Sequence, residues 1–408
     1  MTYQTHRLAN GIRIIHKNTS SYVAHCGLIV NAGSRDEQSS EQGLAHFIEH
    51  VIFKGTRKRR NHHILSHMEN VGGEINAYTS KEDTCIYSSF MSPFYQRWFD
   101  LLSDIVFNSV FPGKELMKEK DIIIDEINSY KDSPGEQIFD DFDDQVFHGH
   151  PLGRNILGTP QHLKSFDHNS ITQFMQRNYA TEEMVICSVG NIDFDRLVKL
   201  SERYFAGLPF VAARKGRTPF TGYQPSQKTV NRKNHQTHCM IGNQAYDVHH
   251  SLKTTLILLN NMLGGPGLNS RLNMAIREKY GFCYNIESHY QAYSDTGILS
   301  IYFGTDPGYS DRTLELIRRE MSRFREKRLG TLQLKRAKQQ LTGQVAISFE
   351  SNINEMLSLG KSLLTYNEVD SIEEINRKIE VISSSDILQA ANEVFDPNHL
   401  SVLIYQSK

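Results

Sequence analysis

The sequence predicts an α+β fold built as two homologous domains, each a mostly antiparallel sheet with helices packed on one face. Three observations lead there. The 408 residues exceed one ordinary domain and suit two, each with a core of its own. The periodic apolar pattern breaks near the middle, where Gly207-Leu208-Pro209 and the glycine-, proline- and base-rich stretch from Arg214 to Pro225 read as connecting chain. A faint but ordered repeat relates the halves. Domains are therefore expected over residues 1–206 and 223–408, with a linker over 207–222.

Taken in order, Asn10-Gly11 is a favoured two-residue hairpin turn, and Ile12 and Ile14 alternate with polar neighbours beyond it. A strand follows through Val23 to Val30. Its stretch Ala24-His25-Cys26-Gly27-Leu28-Ile29 has a counterpart in Thr237-His238-Cys239-Met240-Ile241-Gly242, and a long helical stretch follows each. The halves also close alike. A helix, Asn178-Tyr179-Ala180-Thr181 and the apolar strand Met184 to Val189 end the first; a helix, Phe395-Asp396-Pro397-Asn398 and Leu400 to Tyr405 end the second. Helices covering a sheet satisfy both patterns.

Composition narrows the function. With a net charge of -1, nothing recruits nucleic acid or anionic lipid in bulk. The N-terminus, Met1 to Lys17, lacks the features of a secretory signal, and no apolar run is long enough to span a membrane, so a cytoplasmic protein is expected. Cys26, Cys85, Cys187, Cys239 and Cys283 are odd in number, scattered and without a CxxC pair, as free thiols in a reducing compartment would be.

The chemistry concentrates in His46-Phe47-Ile48-Glu49-His50. On a helix advancing about 100° per residue, His46, Glu49 and His50 share one face, while Leu44, Phe47, Ile48 and Val51 form an apolar back. Catalytic zinc takes three protein ligands and leaves a position for water, so two histidines need a third partner. The helical run Lys114 to Tyr130 offers Glu119 and Glu126 on nearly one face, with Asp125 as a competitor pointing about 100° away. Glu126 is the choice, partly on the resemblance below, with Glu119 in support. Glu49 then stands one turn from both histidines, where it can take a proton from metal-activated water and pass it to a leaving amine. A structural zinc module is disfavoured, because such sites usually have four ligands and favour cysteine. His63 and His67 repeat the ligand spacing with no catalytic carboxylate between them and read as helix surface; His148 and His150 read as structural.

The segment Gly43-Leu44-Ala45-His46-Phe47-Ile48-Glu49-His50, followed by Phe53-Lys54-Gly55-Thr56, resembles the inverted zinc motif of the pitrilysin family, which includes insulin-degrading enzyme and the mitochondrial processing peptidases. The resemblance implies one Zn2+ per chain held by His46, His50 and Glu126, with Glu119 supporting and Glu49 as the base. Asn76-Ala77-Tyr78-Thr79 and the strand through Cys85 to Ser88 look like the family's edge strand, where an extended peptide adds by backbone pairing. Gly264-Gly265-Pro266-Gly267, Ser270-Arg271-Leu272 and Arg277 to Tyr284 are similar to its glycine-rich loop and arginine–tyrosine pair, which implies that Arg277 and Tyr284 bind substrate and stabilise an oxyanion. That glycine-rich stretch lacks the spacing of a phosphate cradle. Ile48 stands where the family often has leucine, on the apolar side of the helix, and Pro266 is expected to stiffen its loop.

Family members enclose peptides in a clamshell of four such domains, and this chain has two. The resemblance therefore implies a homodimer whose sites are completed across the dimer, acting as an endopeptidase on oligopeptides or unfolded segments. Its alternatives are a leader- or presequence-processing peptidase and a non-catalytic binding or assembly subunit of the same fold.

Overall fold

The computed structural model describes residues 3–213 and 216–407. Met1, Thr2 and Lys408 lie outside the described residues, as do Arg214 and Lys215 of the expected linker. The chain forms two units that interleave in sequence. Residues up to Asn128, Arg154–Arg217 and Ile347–Ser371 make the first; Ser129–Gly153, Thr218–Ala346 and the residues from Ile372 onward make the second.

The first unit holds a six-stranded sheet of β1 (Gln4–Arg7), β2 (Arg13–Asn18), β3 (Val23–Val30), β4 (Glu74–Thr79), β5 (Thr84–Met91) and β6 (Met184–Gly190), in the order β1-β2-β6-β3-β5-β4. Its one parallel pair is β2 with β6. The second holds β7 (Gln227–Arg232), β8 (Thr237–Ala245), β9 (Cys283–Ala292), β10 (Gly297–Thr305) and β11 (Ser401–Ser407), ordered β7-β11-β8-β10-β9, and there the parallel pair is β11 with β7. Leaving β1 aside, the orders match strand for strand. The stretches paired in the sequence fall on β3 and β8, and on β6 and β11.

The opening hairpin forms with a longer connection than a two-residue turn. Leu8 N donates to Ile12 O at 2.8 Å, leaving Ala9-Asn10-Gly11 as the loop, and Gly11 takes the positive φ of 95° that lets this loop close. In the linker, Arg217 is tied down, its guanidinium donating to both Asp36 oxygens at 2.9 Å and to Asn31 Oδ1 at 2.9 Å.

Most of the described helices cover one face of each sheet, and one described helix in each unit packs on the other. The helix Asn352–Tyr366 lays Met356, Leu359 and Leu363 over Ile15, Ile29, Val185, Cys187 and Val189 of the first sheet. The helix Pro134–Val146 lays Ile138, Phe142 and Val146 over Met240, Ile298, Tyr302, Leu403 and Tyr405 of the second. The requirement is visible in the strands. Every residue of β6 and of β10 is buried, and a sheet covered on one face only would leave half of those side chains in water. The approach is close enough that a Cβ on Gly360 would lie 2.6 Å from Ile29 Cδ1. Lys17 and Glu355 seal the first of these layers with an ion pair at 2.6 Å, and both are largely removed from solvent.

Candidate metal centre

The helix Leu44–Val51 is mounted at three points. It starts at Gly43, whose φ of 94° and whose missing Cβ, which would sit 2.6 Å from Leu157 O, both require glycine. The buried Glu37 carboxyl accepts from Gly43 N at 3.0 Å and Ala45 N at 2.8 Å, so it satisfies donors that a helix start leaves open. Leu44, Phe47, Ile48 and Val51 are fully buried, which fixes the helix's rotation. His46, Glu49 and His50 therefore leave by the opposite face.

There they meet the helix Gly113–Lys131. His46 Nε2 and His50 Nε2 lie 3.9 and 3.8 Å from Glu126 Oε2, and one ligand atom from each of the three lies within 4.8 Å of the others. Among the described residues this is the one such trio. Asp125, the competitor on sequence, is exposed and outside it. Glu119 is buried one step back, with Oε2 3.3 Å from His50 Nδ1 and Oε1 accepting from Lys54 Nζ at 2.7 Å.

These residues fit a zinc ion. Two imidazoles and a carboxylate make an ordinary catalytic donor set with one position left open. Burial, with His50 adding to it, pushes His46 down to about 4, so its ring is neutral and able to ligate at ordinary pH. Glu119 against Nδ1 orients the His50 ring so that Nε2 faces the trio. Glu49 is partly buried, and burial pushes its carboxyl above its ordinary value, Thr79 and His50 opposing the rise and Glu126 adding to it.

Thr79 ends β4, the edge strand of the first sheet, which pairs with β5 alone. Ile75 and Ala77 pack towards the main core, whereas Tyr78 packs with the layer on the opposite face, beneath Lys361 Nζ at 4.8 Å. Asn76 is exposed. The second unit brings Arg277 and Tyr284 together, with the guanidinium carbon 5.4 Å from the ring centre. Arg277 sits in a π-helical turn, Asn273–Glu278, and Tyr284 stands 83% exposed on the edge strand β9. Single π turns recur at functional sites.

Sequence reasoning missed Glu37, Lys54 and Thr79 as neighbours of the centre. Lys54 left a signal, standing four residues after His50 and thus on the same side of a continued helix. His63 is exposed, His67 half-buried, and neither joins a ligand trio among the described residues. His150 is structural, its Nε2 lying 3.1 Å from Thr218 O.

Comparison with known proteins bears on this arrangement. The family model described as insulinase (peptidase family M16) matches residues 13–160, which contain the whole histidine–glutamate cluster. That described as the peptidase M16 inactive domain matches 165–341, which contain Arg277 and Tyr284. An uncharacterized zinc protease of Bacillus subtilis, YmxG, is 31% identical over 98% of this chain and 97% of its own length. The chain belongs to peptidase family M16. Another relative, an uncharacterized zinc protease of Mycobacterium tuberculosis, Rv2782c, is 31% identical over 95% of this chain and 89% of its own. Two solved structures share the fold along almost the entire length. A protease from Helicobacter pylori has a TM-score of 0.92 at 18% identity, covering 99% of each chain, and a peptidase M16 inactive domain from Pseudomonas fluorescens has 0.93 at 19%, covering 100% of this chain and 98% of that one. These two show the shared fold.

Proposed function

We propose that this M16 chain is a zinc-dependent endopeptidase that hydrolyses oligopeptides or unfolded segments, with Glu49 as general base. The observation that carries the reading is the convergence of His46, His50 and Glu126 beside a partly buried Glu49 whose carboxyl is held above its ordinary value. Zinc held by the trio would polarise the scissile carbonyl and lower the pKa of a water towards about 7. Glu49 takes the proton of the attacking water and delivers it to the leaving amine. A peptide pairs in extended form along β4 at Asn76, Ala77 and Tyr78, so main-chain hydrogen bonds supply affinity without reading side chains. Arg277 and Tyr284 hold the substrate carbonyl and stabilise the oxyanion.

We further propose a homodimer, each site completed by Arg277 and Tyr284 of the second copy around an enclosed chamber; the basis is the resemblance to four-domain clamshells. Mixing a zinc-site variant with an Arg277 variant restores activity if so, and an active monomer in sedimentation overturns it. A cytoplasmic location fits five free cysteines, all buried, and none of the described helices is long and apolar enough to cross a membrane.

The deciding experiment is cleavage of a quenched fluorescent peptide by the chain and by Glu49→Gln, with zinc measured in both. A loss of about 10²–10⁴-fold with zinc retained is expected. Equal activity in both overturns the mechanism. Bound zinc without activity in either favours the non-catalytic subunit, and a single preferred cut in one partner protein favours the processing peptidase.

A further inference from the structure

A groove of about 620 Å³ opens in the second unit between residues 269–280 and the helix Ser310–Glu326 with the turn after it. Its wall carries six cations, Arg271, Lys279, Arg319, Arg323, Lys327 and Arg328, against one carboxylate, Glu320. The whole chain has a net charge of -1, so the concentration is local. Glu320 is buried and already engaged by Arg323, and the Arg271 guanidinium lies 3.7 Å from the centre of the Phe324 ring. Arg319, Lys327 and Arg328 are exposed and form no ion pair among the described residues. Three cations thus face the groove with no internal carboxylate to answer them.

Between the cations the lining has an apolar floor at the buried Leu316 and Leu329, flanked by Ala275 and the half-exposed Met274. Inorganic phosphate would answer the charges and leave that floor wet. A peptide in which acidic and apolar side chains alternate covers both. We propose that this groove binds an acidic segment of a peptide, its carboxylates on the arginine and lysine rim and its apolar side chains on the floor. The inference rests on the peptidase reading in one respect, that the bound peptide is a substrate. Met274 and Ala275 belong to the π-helical turn that carries Arg277, so a peptide in the groove touches the turn that presents that arginine.

The test reads binding on the Glu49→Gln chain, by fluorescence anisotropy of a labelled peptide in which glutamates are interspersed with leucines, beside a twin with glutamine at each glutamate. The glutamate peptide is expected to bind on the order of tenfold more tightly at low salt, with the advantage shrinking as salt rises. Combined Arg319→Ser, Lys327→Ser and Arg328→Ser removes that advantage and leaves hydrolysis of a neutral peptide by the chain with Glu49 intact unchanged. Arg319→Lys with Arg328→Lys keeps it. Equal binding of the two peptides, or a preference that survives the triple substitution, overturns the proposal; so does inorganic triphosphate binding where neither peptide does. Failure of the peptidase reading shows separately, as absence of cleavage by the chain with Glu49 intact.

Discussion

In the first unit the helix against the sheet's edge strand, Leu44–Val51 on β4, presents two histidines and a glutamate; in the second, Lys253–Gly264 on β9 presents asparagines. Asn260 Nδ2 donates to Ser288 O at 3.3 Å and Ser288 Oγ donates back to Asn260 O at 3.1 Å, so that helix spends its polar groups on holding its strand. The first helix leaves that work to Glu37, Gly43 and an apolar back, which frees its polar face. The same strand order thus carries a histidine–glutamate cluster in one unit and an arginine–tyrosine pair in the other. Chemistry resides in side chains grafted on the fold.

The sharpest way to break this contrast is to remove a ligand. His50→Ala is expected to abolish zinc binding and activity together, read by metal content and peptide cleavage, whereas Asn261→Ala on the counterpart helix leaves zinc content unchanged. Next in size are the helices Pro134–Val146 and Asn352–Tyr366, each packed on the second face of its sheet. Phe142→Ala should destabilise the second unit by about 3–5 kcal/mol and Met356→Ala the first by about 2–5 kcal/mol, measured by denaturant unfolding. Both side chains are fully buried, so equal insensitivity would refute the two-faced burial described above. Arg277→Ala should lower kcat by about 10²–10³-fold with zinc retained; a change in KM alone would make it a binding residue.

The smallest expected effect concerns Glu37. Burial pushes its carboxyl up to about 8, against the N–H groups of Ala45 and Gly43 and the charge of Arg154. A carboxyl raised on folding contributes stability that is whole below its unfolded value of 4.5 and is lost as pH rises through about 8. Melting temperature should therefore fall by a few degrees between about pH 5 and about pH 8, and Glu37→Gln should flatten that slope. An unchanged slope in the variant would place the titration elsewhere.

Much of the arrangement was readable from residue order because it depends on local periodicity. His46, Glu49 and His50 share a face by helical geometry alone, and the apolar back of that helix is buried as its pattern requires. The third ligand is a long-range partner: periodicity offered Glu126 with Asp125 as a competitor about 100° away, the choice of Glu126 leaned on the resemblance, and in the fold Asp125 is exposed and outside the trio. Glu37 reaches the helix through a loop whose path no spacing rule fixes. The near-continuous apolar run of β6, interrupted only by Ser188, did carry information, since a strand buried on both faces needs a cover on each. Which helix supplies that cover was not legible, because an amphipathic pattern states that a face will be buried and says nothing of the sheet it meets.

The exchange of segments 129–153 and 347–371 between the two halves of the chain has a consequence for biosynthesis. On the ribosome the first sheet is complete once β6 has emerged, yet its cover arrives only with residues 352–366, long after the linker. Until then an apolar layer stays open to association with other chains. A chain cut at the linker would yield two fragments, each missing the helix that the other carries, and their solubility should recover when they are expressed together.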